Sequence, residues 1–491
     1  MSAPSPPPTP TPTWPGLRAV VAGLGVSGFT AADSLLQLGA AVTVVADRDD
    51  ADARERATIL EILGADVLLG EGATERLPAD AQLVIASPGV PPGSTLLRQA
   101  GQRGVPLWGD VELAWRLRPE RADGLPAPWL AVTGTNGKTT TVRMLDSMLR
   151  AAGLRSVAAG NVGRPVLEAV RHPEPYDVLA VELSSFQLHS TSSVSAQASV
   201  VLNVAADHLD WHGSYAAYRG AKARIYERTQ AACVYPLADD EIEQLVRSAD
   251  VIEGCRAVGF TTGVPPVGSL GVVDGVIADR AFVAGRVREA VELGSVHDIT
   301  PLAPHTLLDA LAAAALARAH GVPAAAVRDG LRSFRPDPHR IALAGRIAGV
   351  DFVDDSKATN PHAAQASLSG YESVVWVAGG LAKGAQFDEL AVATRERLRA
   401  AVLLGRDRRL IAEALRRHAP DVPVIELADG ETGARVMQHA VTAAMSVARP
   451  GDTVLLAPAC ASQDQFRDYG ARGEAFAAAV RDRQDSQPPP Q

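Results

Sequence analysis

Short apolar runs alternate with amphipathic stretches along most of this 491-residue chain, and many runs end in a turn rich in Gly, Ser, Thr, Asn or Asp. That rhythm predicts alternating strands and helices, hence an α/β fold with mostly parallel sheets. In the first part, strands at Arg18–Ala22 and Ala41–Ala46 flank a helix ending near Leu38, and Leu83–Ala86 is a further strand. In the middle, strands are expected at 129–132, 177–182 and 198–204, with helices from about Lys138, over 215–229, 305–320 and 324–333. Short β-rich stretches over 255–293, around an Asp274-Gly275 turn, read as a small hairpin lobe. After a stiff connector, Arg335–Arg340, strands at 351–353, 373–378, 401–404, 424–427 and 453–456 alternate with helices, which is the pattern of a second doubly wound sheet.

Length argues for about three domains. We place a Rossmann-like domain at 16–118, a central P-loop ATPase domain with a mostly parallel sheet at 119–336, and a C-terminal Rossmann-like domain at 337–485. The Pro-rich ends, 1–15 and 486–491, read as disordered tails. No apolar run approaches the ~18 residues of a membrane span, and no secretory signal is apparent. A net charge of −9 disfavours nucleic acid or an anionic membrane as the main partner. Three scattered cysteines, Cys233, Cys255 and Cys460, lack metal-ligand spacing and fit a reducing cytoplasm.

The strongest chemical signal is the stretch from Trp129 to Thr140. A buried strand breaks into Gly134-Thr135-Asn136-Gly137 and then into a helix carrying Lys138, Thr139 and Thr140. This is a phosphate cradle: backbone N–H groups face phosphate oxygens, Lys138 supplies charge and the Thr139 hydroxyl suits Mg²⁺. Val132 stands where the long signature has glycine, so the form is the shortened GxxGKT. Earlier, Gly23-Leu-Gly25-Val26-Ser27-Gly28 follows a strand and Asp47 ends the next, a dinucleotide-binding pattern that by itself predicts NAD. Physically it asks only for a diphosphate on a helix N-terminus. Ser87, after another strand, reads equally as a ligand contact or a helix cap. Asn161 lies between Gly160 and Gly163, where a plain loop is an equal reading. Glu182 ends a buried strand, where such ATPases place a Mg²⁺ carboxylate. Asp207-His208 ends the following strand, a position suited to a metal ligand or a base. Lys222, between Arg219 and Arg224, reads from the residues alone as a solvated lysine. In the last part Asp355, Lys357, Lys383 and Ser462 gather after strand ends.

In order along the chain stand GTNGKTT (134–140), GNVG (160–163), ELSSFQL (182–188), DH (207–208), GAKARIY with Lys222, HR (339–340), DDSKATNP (354–361), GGLAKGAQF (379–387) and APACASQDQF (457–466). This set resembles the Mur ligase family, and the last three stretches look like its D-glutamate-adding branch. The resemblance covers nearly all of the chain apart from the tails and replaces the NAD reading. It implies an ATP-dependent ligase joining D-glutamate to the L-alanine carboxylate of UDP-N-acetylmuramoyl-L-alanine through an acyl phosphate. The protein is expected to be cytoplasmic and monomeric, with ATP, two Mg²⁺ and a carbamylated Lys222. Gly25, Val26, Ser27 and Ser87 would hold the uridine diphosphate, Asn161, Ser184 and Gln187 the muramoyl end, with Lys357 nearby. Residues 134–140 would bind ATP together with Arg340 and Asp355. Thr139 would take one Mg²⁺, and Glu182, His208 and carbamylated Lys222 the other. Thr359, Lys383 and Ser462, with Tyr469 beside them, would receive D-glutamate. Thr306 and Asp309 depart from the family's adenine-contacting run, and Tyr469 stands for a usual Phe. A sibling ligase or a folylpolyglutamate synthase-like enzyme is the alternative within this class. A nucleotide-sensing regulator is the alternative outside it.

Overall fold

The computed structural model describes residues 11–161, 163–428, 430 and 432–485. These form two compact units. One comprises residues up to Ile299 together with Leu307–Phe334, and the other Thr300–Thr306 together with Arg335 onward.

The first unit carries two sheets. Strands β1 (Arg18–Ala22), β2 (Ala41–Ala46), β3 (Asp66–Leu69), β4 (Leu83–Ala86) and β5 (Leu107–Gly109) form the first, in the order β3-β2-β1-β4-β5 and parallel throughout. Its central strands are Val- and Ile-rich and buried on both faces, as a helix-covered parallel sheet requires. The strand order reverses beside β1, so the turn after β1 opens at a switch point. Gly28 is obligatory there: a Cβ would sit 1.9 Å from the Gly23 carbonyl oxygen, so only glycine lets the helix Val26–Gln37 pack this closely on the turn.

The second sheet has nine strands: β6 (Trp129–Thr133), β7 (Ser156–Gly160), β8 (Val178–Glu182), β9 (Ala198–Val201), β10 (Ala232–Pro236), β11 (Arg256–Phe260), β12 (Ser269–Val273), β13 (Val276–Asp279) and β14 (Val291–Ser295). Their order is β14-β13-β12-β11-β10-β9-β6-β8-β7, parallel from β7 to β12 and antiparallel over β12-β13-β14. The hairpin at Asp274-Gly275 is present, both residues having positive φ. It does not form a separate lobe as expected; it extends the same sheet through β11. Ala310 to Ala317 are all fully buried in this core, an Ala-rich helix whose small side chains admit close packing.

Helix Asp110–Arg116 fastens the two sheets of this unit. Glu112, fully buried, accepts from the backbone N–H groups of Ser192 and Ser193 at 2.8 and 3.0 Å and from both serine hydroxyls, and pairs with Arg116 at 2.7 Å. Burial alone would raise its pKa, but these bonds from Ser193, Ser192 and Arg116 carry it below the usual value. The expected N-terminal tail stops short of Trp14, which packs edge-on against Trp108 with centroids 6.3 Å apart, because an indole gains more from apolar cover than from water. Residues 1–10 and 486–491 of the expected tails lie outside the described residues.

The second unit holds one six-stranded sheet of β15 (Ala342–Ile347), β16 (Val350–Asp354), β17 (Val374–Gly379), β18 (Leu398–Leu404), β19 (Val424–Glu426) and β20 (Thr453–Leu456). Its order is β15-β16-β20-β17-β18-β19, with β15 an antiparallel edge. Three sheets make a three-domain α/β chain.

Candidate active site

The cradle after β6 is held from below by the end of β9. Thr135 N–H donates to the Asn203 carbonyl at 3.0 Å and Asn136 N–H to the Asn203 Oδ1 at 2.9 Å. The Thr135 hydroxyl meets the Tyr218 hydroxyl at 2.8 Å. Gly137 caps the helix Lys138–Ala151 at φ 82°, and a Cβ there would lie 2.3 Å from Asp309 Oδ1. Both conformation and space therefore demand glycine. Lys138 Nζ folds back on its own loop and donates to the Gly134 and Thr135 carbonyls at 2.9 and 2.8 Å.

Of the expected metal-binding side chains, Thr139, Glu182 and Lys222 gather at this loop. Thr139 Oγ1 donates to Glu182 Oε2 at 2.9 Å, and Asn161 Nδ2 to Glu182 Oε1 at 3.0 Å. Lys222 is the largest departure from the reading of a solvated side chain. It is 2% exposed, lies over the Tyr218 ring at 4.8 Å and donates to the Gly134 carbonyl at 2.7 Å. Burial, and then the charge of Lys138, push its pKa well below the ordinary lysine value. His208, half-exposed, sits at φ 52° and packs on the Phe186 ring edge, centroids 4.7 Å apart. Burial lowers its pKa, while Asp207 opposes the shift. Among the described residues no three His, Cys, Asp or Glu side chains form a metal-binding group. Glu182 and His208 alone make an anion-poor set for a hard cation. A neutral amine at Lys222 that took up carbon dioxide would supply the missing oxygens.

A cavity of about 680 Å³ opens at the switch point beside β1. Gly25, Val26, Ser27, Ser87, Asn161 and Gln187 line it, so six of the expected uridine-substrate residues come together, joined by Asp47, Arg48 and Arg56. The Ser87 hydroxyl donates to the Gly23 carbonyl at 3.1 Å, fixing the turn. Asp47 accepts from the Thr74 backbone N–H at 3.0 Å and from its hydroxyl. Ser184, absent from the lining, caps helix Ser185–His189 reciprocally with Gln187. Asn161, where a plain loop was an equal reading, directly follows β7.

In the second unit three loops follow adjacent strands β16, β20 and β17. Asp355 leaves β16, Ser462 lies beyond β20 and Lys383 beyond β17. Leu381 and Ala461 exchange backbone bonds at 2.9 and 3.0 Å, and Ala459 N–H donates to the Ala358 carbonyl at 2.9 Å. Lys383 and Ala459 both hold positive φ, the kind of strain that collects at functional loops. Lys357, expected near the uridine substrate, stands in this unit with Nζ 3.9 Å from the Tyr469 ring centre. Thr359 follows Lys357 on the same loop. Asp355 accepts from the Ser367 hydroxyl at 2.6 Å, and burial raises its pKa to about 6, with Ser367 and Arg340 opposing.

Thr306, which departs from the family's adenine-contacting run, spends its hydroxyl on the Pro301 and Ala303 carbonyls, and Asp309, the other departure, faces Gly137. Sequence reasoning missed Asn203, although a polar residue inside an apolar strand run was the signal. It missed Arg472 as well. This fully buried guanidinium donates to Ser356 Oγ, the Ser356 carbonyl and the Cys460 carbonyl at 2.9, 2.8 and 3.1 Å.

Comparison with known proteins bears on the same regions. The sequence matches the Mur ligase MurD-like N-terminal domain over 17–109, the Mur ligase middle domain over 132–263 and the Mur ligase glutamate ligase domain over 339–460. It is 60% identical to the UDP-N-acetylmuramoylalanine–D-glutamate ligase of Streptomyces coelicolor over 95% of this chain and 98% of that one. The Thermobifida fusca protein of the same name is 53% identical over 95% and 98%. Among solved structures, MurF from Acinetobacter baumannii is similar in fold at a TM-score of 0.58 and 18% identity, covering 90% of this chain and 91% of that one. A pseudomurein peptide ligase type C from Methanothermus fervidus reaches 0.57 at 17% identity, covering 95% and 100%.

Proposed function

This chain belongs to the Mur ligase family, and we propose that it joins D-glutamate to the L-alanine carboxylate of UDP-N-acetylmuramoyl-L-alanine with cleavage of ATP, a step of peptidoglycan precursor synthesis. The observation that carries this reading is the convergence of Lys138, Thr139, Glu182 and Lys222 on one cradle, in a chain 60% identical to a D-glutamate-adding ligase.

A carboxylate is a poor electrophile, so the substrate must be activated. The carboxylate oxygen attacks the γ-phosphorus of ATP, the bond to ADP breaks, and an acyl phosphate forms. The D-glutamate amine then attacks the acyl carbon, loses a proton, and phosphate leaves. Lys138 and the amides of 134–140 neutralise and align the phosphates, so catalysis is chiefly positioning and charge. Arg340 and Asp355 are assigned to ATP. Thr359, Lys383 and Ser462, with Tyr469, are assigned to D-glutamate. Gly25, Val26, Ser27 and Ser87 are assigned to the uridine diphosphate, and Asn161, Ser184 and Gln187, with Lys357, to the acyl-sugar portion.

Mur ligases use ATP and Mg²⁺. Two Mg²⁺ are assigned here, one to Thr139 and the other to Glu182, His208 and carbamylated Lys222; when bound they offset charge on the transferring phosphoryl group. The depressed Lys222 pKa supports the carbamate, because only a neutral amine adds carbon dioxide. The working unit is proposed to be one chain. Among the described residues no helix is long and apolar enough to cross a membrane; the proposed need for ATP supports a cytoplasmic setting for the activity.

The deciding experiment measures phosphate release with D-glutamate, L-alanine, L-lysine and meso-diaminopimelate as acceptors. D-Glutamate alone should support turnover. Preference for another amino acid would make the chain a sibling ligase.

A further inference from the structure

Gln187 lines the 680 Å³ cavity, yet most of its amide is already committed. Its Oε1 accepts from the Ser184 N–H at 3.1 Å and lies 3.2 Å from the Ser184 hydroxyl. Its Nε2 donates to Asp110 Oδ2 at 3.1 Å. An amide is ambiguous by itself, since oxygen and nitrogen exchange places by rotation about χ3. Here a backbone donor at one end and a carboxyl acceptor at the other remove the ambiguity. One Nε2 hydrogen is left over.

Asp110 itself is nearly sealed from solvent. It is 5% exposed at the start of helix Asp110–Arg116, and its Oδ1 is buried without a hydrogen-bond partner among the described residues. Such a group is costly unless it serves something. The same carboxyl also interacts with the hydroxyl of Ser27, which lines the cavity, and with the backbone N–H groups of Asp110 and Val111. One buried side chain thus links two cavity-lining residues, Ser27 on the helix Val26–Gln37 and Gln187 on the helix Ser185–His189.

We infer that Asp110 is a positioning residue of this cavity: it locks the Gln187 amide as a hydrogen-bond donor and ties it to Ser27, so that the cavity selects a carbonyl or carboxylate oxygen of the acyl-sugar portion at that point. The inference rests on the function proposed above and assigns how that substrate is read. Burial raises the Asp110 pKa, which agrees with a neutral carboxyl that Asn can replace in shape and acceptor.

The test is calorimetric titration of UDP-N-acetylmuramoyl-L-alanine and, separately, ATP into the intact protein. Asp110→Ala and Gln187→Leu should each weaken the uridine ligand about tenfold, the double variant little further, and ATP affinity should stay within about twofold. Asp110→Asn should bind within about threefold of the parent. Should Asp110→Ala not fold, Asp110→Leu keeps the branching at Cγ and lacks the acceptor. Unchanged affinity in the apolar variants, additive losses, Asp110→Asn as weak as Asp110→Ala, or equal loss of ATP binding would each overturn the inference. A parent protein that does not bind the uridine ligand would instead overturn the functional reading, and this inference with it.

Discussion

Lys138 and Lys222 direct their Nζ atoms at one oxygen, the Gly134 carbonyl, at 2.9 and 2.7 Å. Two ammonium groups on one neutral acceptor repel each other, and the buried one yields its proton more readily. Position thus separates the roles of two chemically identical side chains.

From that separation follows a test of the carbamate. Lys222→Ala should lower kcat by at least about a hundredfold, since a ligand of the proposed metal site is lost. A short carboxylic acid added to this variant should restore part of the rate. ¹³C NMR of the parent in labelled bicarbonate should show a carbamate signal that the variant lacks. An active, bicarbonate-independent variant would refute the assignment.

Gly137→Ala should be among the most damaging cradle substitutions. The αL conformation costs an L-residue about 1–2 kcal/mol, and the new methyl would lie 2.3 Å from Asp309 Oδ1. Adding Asp309→Ala should recover stability in thermal melts but only part of it, because the backbone strain remains. Full recovery would show that φ at this position is immaterial.

Asp355 gives a pH dependence. Its folded pKa of about 6 lies above the ordinary 3.8, so the unfolded chain releases this proton first and stability falls as pH rises through this interval. Between pH 5 and 8 the loss from this group is about 1–2 kcal/mol. Asp355→Asn should flatten the stability curve there and melt higher at pH 8, while weakening ATP turnover. A parallel pair of melting curves would contradict this.

Arg472 joins the loop bearing Lys357 and Thr359 to the loop bearing Ser462. Replacing it with Met leaves the Ser356 and Cys460 carbonyls without this donor, at about 1–3 kcal/mol each. Arg472→Lys should fold better. In both, the KM for D-glutamate should rise more than that for the uridine substrate. Equal changes in the two would reduce Arg472 to a packing role.

Much of this was readable in the residues where chemistry and position are local. The cradle from Gly134 to Thr140 announces itself because strand, turn and helix are contiguous, and β1, β2, β4 and β20 fall where the apolar runs lie. Lys222 was not readable. Its helix neighbours Arg219 and Arg224 suggest solvent, and its burial depends on Tyr218 and the Gly134 loop, far away in sequence. Arg472 fails for the same reason, lying in a helix, Tyr469–Asp485, whose composition looks solvated. The turn at Asp274-Gly275 was read correctly, but the sheet it joins was not, because pairing of β11 with β12 is decided by tertiary context. Glu112 lay unnoticed among apolar neighbours, since nothing beside it in sequence names Ser192 and Ser193 as its partners.

That carboxylate has a practical consequence for dissection of the protein. Cut away from the serines, Glu112 would face a bare apolar seam with Arg116 as its one remaining side-chain partner among the described residues. The lobe built on the first sheet is therefore no detachable module: expressed by itself it should be sticky and poorly folded, and inhibitor screens aimed at it need the adjoining nine-stranded sheet in place.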